Sequence, residues 1–120
     1  RFAKIVQNNC VGDPPVFDLI VLGLGDDGHT ASLFPGTEAM HVSDQWATVG
    51  KGKGLERITL TVPVLSSARK VVFLVSGASK TQALRRLLDP DESPERTPAR
   101  LIQSRDPILV LADDDCAGSL

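Results

Sequence analysis

The residues best suited to chemistry lie together between positions 23 and 36. There the chain reads Gly23-Leu24-Gly25-Asp26-Asp27-Gly28-His29-Thr30-Ala31-Ser32-Leu33-Phe34-Pro35-Gly36. Asp27 and His29, two apart on a tight turn, suit an orienter–base pair: imidazole titrates near neutrality, and a carboxylate beside it can fix its tautomer. Gly23-x-Gly25-x-x-Gly28 also has the dinucleotide-binding spacing. That fingerprint needs a full helix facing the pyrophosphate, whereas Pro35-Gly36 leaves room for about one turn and Asp26 and Asp27 would repel the phosphates. A metal site from Asp26, Asp27 and His29 lacks a further ligand at usable spacing. A plain glycine-rich turn with solvated carboxylates is the remaining reading. The crowding of several catalytic residue types at one point favours the base.

That point is the end of a strand. Residues 17–22 form a continuous apolar run closed by Gly23, the pattern of a buried strand in a parallel sheet. Open α/β sheets bind ligands where loops leave the carboxyl ends of their strands. Two further runs, 70–75 and 107–112, read as buried strands, and 56–62 alternates as a half-buried strand does. A short strand is expected at 46–49. Helical segments are expected at 1–9 (Phe2, Ile5 and Val6 at helical spacing), within 37–44, after Pro63 at 64–68, and at 81–88. In the last of these, Leu84, Leu87 and Leu88 form the inner stripe, with Arg85 and Arg86 outside. Gly50-Lys51-Gly52-Lys53-Gly54 reads as a flexible basic loop that could approach a phosphate, though a loop of this composition is usually mobile surface. Residues 89–98 read as a loop, and Asp113 to Asp115 as the acidic start of a helix. Strands alternating with helices predict a Rossmann-like, doubly wound α/β sheet, mainly parallel.

Composition narrows the function. The 120 residues suit one domain with 42% apolar content, and the net charge of −2 comes from intermingled signs. No basic face argues for nucleic acid or a membrane surface, and no run approaches the roughly 20 apolar residues of a membrane span. A local cationic pocket still suffices for a phosphorylated substrate. Cys10 and Cys116 near opposite ends suggest reduced thiols in a cytoplasmic protein. The first residues carry no signal-peptide pattern, but the chain begins without Met, so targeting segments upstream stay open, as does the oligomeric state.

The segment Gly23 to Gly36 resembles the signature of 6-phosphogluconolactonases, members of a superfamily shared with glucosamine-6-phosphate deaminases/isomerases. Arg57-Ile-Thr-Leu-Thr-Val-Pro63-Val-Leu, Ser76-Gly77-x-x-Lys80 and Pro98-Ala-Arg-Leu-Ile resemble further lactonase blocks, in order. The resemblance is to the C-terminal half of that family, so 1–120 is expected to be part of a single lactonase domain and inactive alone. The deaminases carry a relay glutamate five residues after the histidine, where this chain has Phe34. A phenyl ring cannot move protons, which points to the lactonase branch over the deaminase or a non-catalytic sugar-phosphate-binding module. The resemblance implies hydrolysis of a phosphorylated sugar lactone in the pentose phosphate pathway, without cofactor or metal.

Hydrolysing that ester needs a water relieved of a proton as it attacks, and His29 is the expected base with Asp27 its orienter. Asp27 is equally suited to capping the turn. Lys80, at the exit of a buried strand and opening a helix, is expected to meet the phosphate. Arg57 is the second cation, unless it guards a strand edge. Gly25 and Gly28 are expected to line the substrate. Thr30 and Ser32 could hydrogen-bond the sugar hydroxyls or cap the short turn, and Ser32 reads as a cap. His41 reads as an exposed turn residue.

Overall fold

The computed structural model describes residues 1–118 and 120. Helix α1 (Phe2–Asn9) precedes strand β1 (Ile20–Gly23). A 3₁₀ turn (Glu38–His41) leads to a hairpin of β2 (Ala47–Gly52) and β3 (Leu55–Leu60). Helix α2 (Val62–Ser66), strand β4 (Val71–Val75), helix α3 (Thr81–Leu88), strand β5 (Leu109–Ala112) and helix α4 (Asp114–Ala117) complete the chain. Strands β1, β4 and β5 form a parallel sheet in the order β1-β4-β5, and β2 and β3 pair antiparallel beside it. The α/β expectation with a parallel sheet holds.

The register explains the core. Ile20 faces Val71 and Leu22 faces Phe73, so these side chains share one side of the sheet with Val75. They pack with Leu65 and Ala68 near α2, Ala83 and Leu84 of α3, and Cys116 of α4. Each large side chain removed from water here contributes roughly 1.5–3 kcal/mol.

Strands expected to be buried on both faces are only partly covered on the second. Val72 on that side is 8% exposed, whereas Val21, Leu74, Leu109 and Leu111 around it are 53%, 50%, 43% and 49% exposed, so an apolar run that reads as doubly buried is partly wet.

Two other expectations need correction. The buried stripe of α3 is Ala83, Leu84 and Leu87; Leu88 is 53% exposed. The helix is turned so that Arg86, three residues after Ala83, lies half-buried instead of on the wet face. The basic loop 50–54 is mostly strand: Gly50, Lys51 and Gly52 belong to β2, and only Lys53 and Gly54 make the turn. Both have positive φ, +53° and +76°, as a two-residue type I′ hairpin turn requires.

The glycines of β2 have a packing reason. A Cβ on Gly50 would lie 2.0 Å from the Ser32 carbonyl oxygen, and one on Gly52 would lie 2.2 Å from the Phe34 ring. Two apart, they present one flat face of the strand to residues 32–34. Ser32 N–H also donates to Thr59 Oγ1 of β3 at 3.2 Å, fastening that segment to the hairpin.

Candidate active site

The loop leaving β1 is held from several sides. Gly28 N–H donates to the Gly25 carbonyl at 2.9 Å, and Gly25 N–H to the His29 carbonyl at 2.8 Å, closing a tight turn. Gly28 sits at φ +88°, a conformation glycine takes without cost. Its carbonyl accepts from Ala99 N–H at 3.1 Å. Arg86 Nη2 donates to the Asp26 carbonyl at 3.3 Å. Two elements distant in sequence therefore fix the turn by its backbone.

Within it, His29 Nδ1 lies 2.5 Å from Asp27 Oδ1, and the same oxygen accepts the His29 backbone N–H at 3.0 Å. Burial of Asp27 acts to raise its pKa. The hydrogen bonds from the His29 backbone and ring, with the charges of His29 and Lys53, outweigh it and hold the carboxyl below the usual range. An ionised carboxylate only accepts, so Nδ1 is the donor, and in the neutral imidazole the lone pair is then on Nε2. Among the described residues Nε2 has no hydrogen-bond partner, and the imidazole is 18% exposed. This is the arrangement of a base with its tautomer fixed. Asp27 does cap the turn and orient the ring with one oxygen.

Gly25 is buried beneath the ring. A Cβ there would stand 2.0 Å from His29 Nδ1 and 2.8 Å from Asp27 Oδ1. In this state the contact of Gly25 is with the dyad, and Gly28 abuts Thr97 and Arg86. Thr30 is 1% exposed and its hydroxyl donates to the Gly23 carbonyl at 2.7 Å, tying the loop to the end of β1. A hydroxyl so placed is turned away from solvent. Ser32 is buried and supplies its backbone to the hairpin.

The cations gather around this turn. Arg57, opposite Gly50 in the hairpin, brings its guanidinium to 6.0 Å from the Phe34 ring centroid. Phe34 in turn stacks on His29 at 4.4 Å. Lys53 Nζ bonds Asp26 Oδ1 at 3.3 Å. The Asp26 pKa is lowered, first by that hydrogen bond and by the Lys53 charge, with a smaller contribution from Lys80. Lys80 therefore lies within electrostatic reach of the loop. It ends a 3₁₀ turn (Ala78–Lys80) leading directly into α3. Asp113 anchors that exit: it accepts from Ser76 Oγ at 2.5 Å and from Gly77 N–H at 3.1 Å, and caps α4 through Cys116 N–H at 3.1 Å. These bonds depress the Asp113 pKa to about 2. The Gly77 N–H is thus committed to Asp113, and among the described residues the Lys80 ammonium has no ion-pair partner.

Sequence reasoning missed Arg86, which lies on a helix whose amphipathic pattern assigns arginine to water, and weighed Lys53 only as part of a basic loop that could approach a phosphate. Phe34 was singled out only as a residue unable to carry protons. His41 is exposed and faces Glu95 at 3.3 Å, away from the dyad. Among the described residues no group of three or more His, Cys, Asp or Glu side chains is placed to hold a metal.

The chain matches the family model described as glucosamine-6-phosphate isomerases/6-phosphogluconolactonase over residues 1–111. It is 50% identical over 109 residues to a 6-phosphogluconolactonase of Synechocystis sp., covering 91% of this chain and 45% of that protein. It is 38% identical over 123 residues to the 6-phosphogluconolactonase of Rattus norvegicus, covering 99% of this chain and 47% of the rat protein. The solved structure of 6-phosphogluconolactonase from Trypanosoma brucei superposes with a TM-score of 0.82 at 29% identity, over 99% of this chain and 51% of that one. The chain spans about half the length of the curated relatives it matches. With the dyad, its strand-end loop and the parallel sheet in the arrangement described, the chain belongs to the glucosamine-6-phosphate isomerase/6-phosphogluconolactonase family.

Proposed function

We propose that the protein hydrolyses 6-phospho-D-glucono-1,5-lactone to 6-phosphogluconate, a step of the pentose phosphate pathway. The observation that carries this reading is the Asp27–His29 dyad at the end of β1, with Nδ1 on the Asp27 carboxylate and, among the described residues, no hydrogen-bond partner on Nε2. Nε2 takes a proton from water as its oxygen bonds to the lactone carbonyl carbon. The ring C–O bond then breaks, and the imidazolium returns the proton to the departing sugar oxygen. Asp27 stabilises the imidazolium between these events. Lys80 receives the phosphate, with Arg57 as the second cation beside it.

The names of the relatives support the substrate, and Phe34 supports the lactonase over the deaminase branch. The ring lies against His29, where a carboxylate would be needed to extend a proton relay. The same proposal treats 1–120 as the C-terminal part of one lactonase domain. Cytoplasmic residence belongs to it too, since Cys10 and Cys116 are free thiols.

The test uses a protein of full family length carrying this chain. His29→Ala should lower lactone turnover by roughly 10²–10⁴, the usual scale for a general base, with 6-phosphogluconate affinity little changed. Near-normal turnover above the spontaneous rate would refute the base. Ammonia release from glucosamine 6-phosphate at a rate rivalling lactone hydrolysis would refute the branch.

A further inference from the structure

The Asp27 bond does not by itself fix the imidazole of His29. It pins Nδ1, but rotations about Cα–Cβ and Cβ–Cγ can compensate and tilt the ring around that point. Asp27 is also a soft anchor, its side chain 35% exposed. A base aiming a lone pair at one water needs its ring plane set as well.

The plane is set by Phe34. Its ring lies 4.4 Å from the imidazole centroid at an interplanar angle of 27°, a stacked pair. Phe34 is itself immobilised: it is 3% exposed, and its carbonyl accepts Thr37 Oγ1–H at 2.7 Å. Behind it runs the hairpin, where a Cβ on Gly52 would come within 2.2–2.6 Å of three of its ring carbons. Gly52 does not have positive φ, so the position is glycine for space and not for backbone conformation.

We propose that Phe34 is the positioning residue of the His29 base, fixing the imidazole plane by stacking, and that the hairpin β2–β3 holds Phe34 in place by closing Gly52 against it. The proposal rests on the reading of His29 as the base. It assigns the hairpin a part in catalysis although the hairpin lends the dyad no atom.

The test is a double-mutant cycle in a protein of full family length carrying this chain. Phe34→Leu keeps an apolar filling but removes the stacking face. Turnover of 6-phosphogluconolactone should fall about tenfold or more, since displacement near 1 Å at a reacting group costs up to about a hundredfold. KM should change less than about threefold. In a His29→Ala background the same substitution should cause no further loss, because there is no ring left to position. The His29 ring protons, upfield-shifted by the phenyl face, should move downfield in the NMR spectrum of Phe34→Leu. Gly52→Ala, which pushes the ring from outside the site, should reproduce both effects and carries the test if Phe34→Leu does not fold. A kcat within threefold of the parent, or an equal loss in the His29→Ala background, would overturn the proposal. Failure of the underlying reading looks different: His29→Ala would then keep its turnover.

Discussion

Gly25→Ala isolates the geometry of the dyad from its chemistry. Gly25 does not have positive φ, so alanine is permitted by the backbone, and the site is buried. The new methyl would begin 2.0 Å from His29 Nδ1 and 2.2 Å from Cε1, against an ordinary contact of 3.4–4 Å. The ring must retreat by roughly 1.4 Å or more, and a displacement of that order costs about 10²-fold in rate. The methyl would also stand 2.8 Å from Asp27 Oδ1, so the 2.5 Å bond cannot simply re-form alongside it. Turnover should therefore approach that of His29→Ala, although base and carboxylate are both still present. Overpacking should cost the fold about 1–3 kcal/mol, readable as a lower melting temperature of a still cooperative transition. The assay is lactone loss against the spontaneous rate, with circular dichroism on the same sample. Gly25→Ala with native-like folding and turnover within threefold of the parent would show that the ring position is immaterial.

Lys80→Ala should remove a charge-assisted contact of roughly 1.5–3 kcal/mol. Binding of phosphorylated lactone should weaken far more than that of unphosphorylated gluconolactone; equal effects on both would remove Lys80 from the phosphate site. Asp113 has a folded-state pKa of about 2 against 3.8 for the free group, so its stabilisation is complete above the higher value and lost as pH falls through the lower. Asp113→Asn should consequently melt earlier than the parent at pH 7, with the gap closing by pH 2; a gap independent of pH would mean that the charge is not what anchors the Ser76–Gly77 exit. The apolar face of Val21, Leu74, Leu109 and Leu111 should make residues 1–120 alone self-associate and show only background lactonase activity. Size-exclusion chromatography giving a monodisperse monomer with His29-dependent turnover would contradict both expectations.

What could be read from the sequence was what local pattern controls. The run 70–75 became β4 (Val71–Val75), and 81–88 became α3 with the bounds its apolar spacing gives. Asp27 and His29 were legible because two residues on one turn need no distant information to meet. The errors fall where a distant segment decides. Leu88 is exposed and Arg86 half-buried, and the loop after β1, some sixty residues earlier, offers Arg86 the carbonyl of Asp26. The Gly-Lys-Gly-Lys-Gly stretch looks like flexible punctuation. Gly50 and Gly52 are instead the surface on which Ser32 and Phe34 rest, and only their spacing of two, one face of a strand, hinted at it. Thr30 looked like a substrate donor because a hydroxyl beside a base usually is one. Its bond to Gly23 cannot be inferred without the turn that folds it back.

The charges around the loop resolve an apparent conflict between an acidic chain and the anionic substrate proposed for it. Asp26 and Asp27 are neighbours in sequence but live in different settings, as paired carboxylates must if they are to take separate roles. Asp27 is part-buried and spends its charge on His29. Asp26 is exposed and spends its own on Lys53. Against these two carboxylates stand Lys53, Lys80, Arg57 and Arg86, drawn from the hairpin turn, the β4 exit, β3 and α3. The local balance is positive even though the chain carries −2. Charges screened over about 8 Å act on what is near, so an approaching phosphate is governed by this cluster and not by the average. The arrangement also separates two kinds of cation. Arg86 is tied to a backbone carbonyl and supports the turn, whereas Lys53 holds only an exposed carboxylate that a phosphate can replace at little cost, because exposed ion pairs are worth roughly 0–1 kcal/mol.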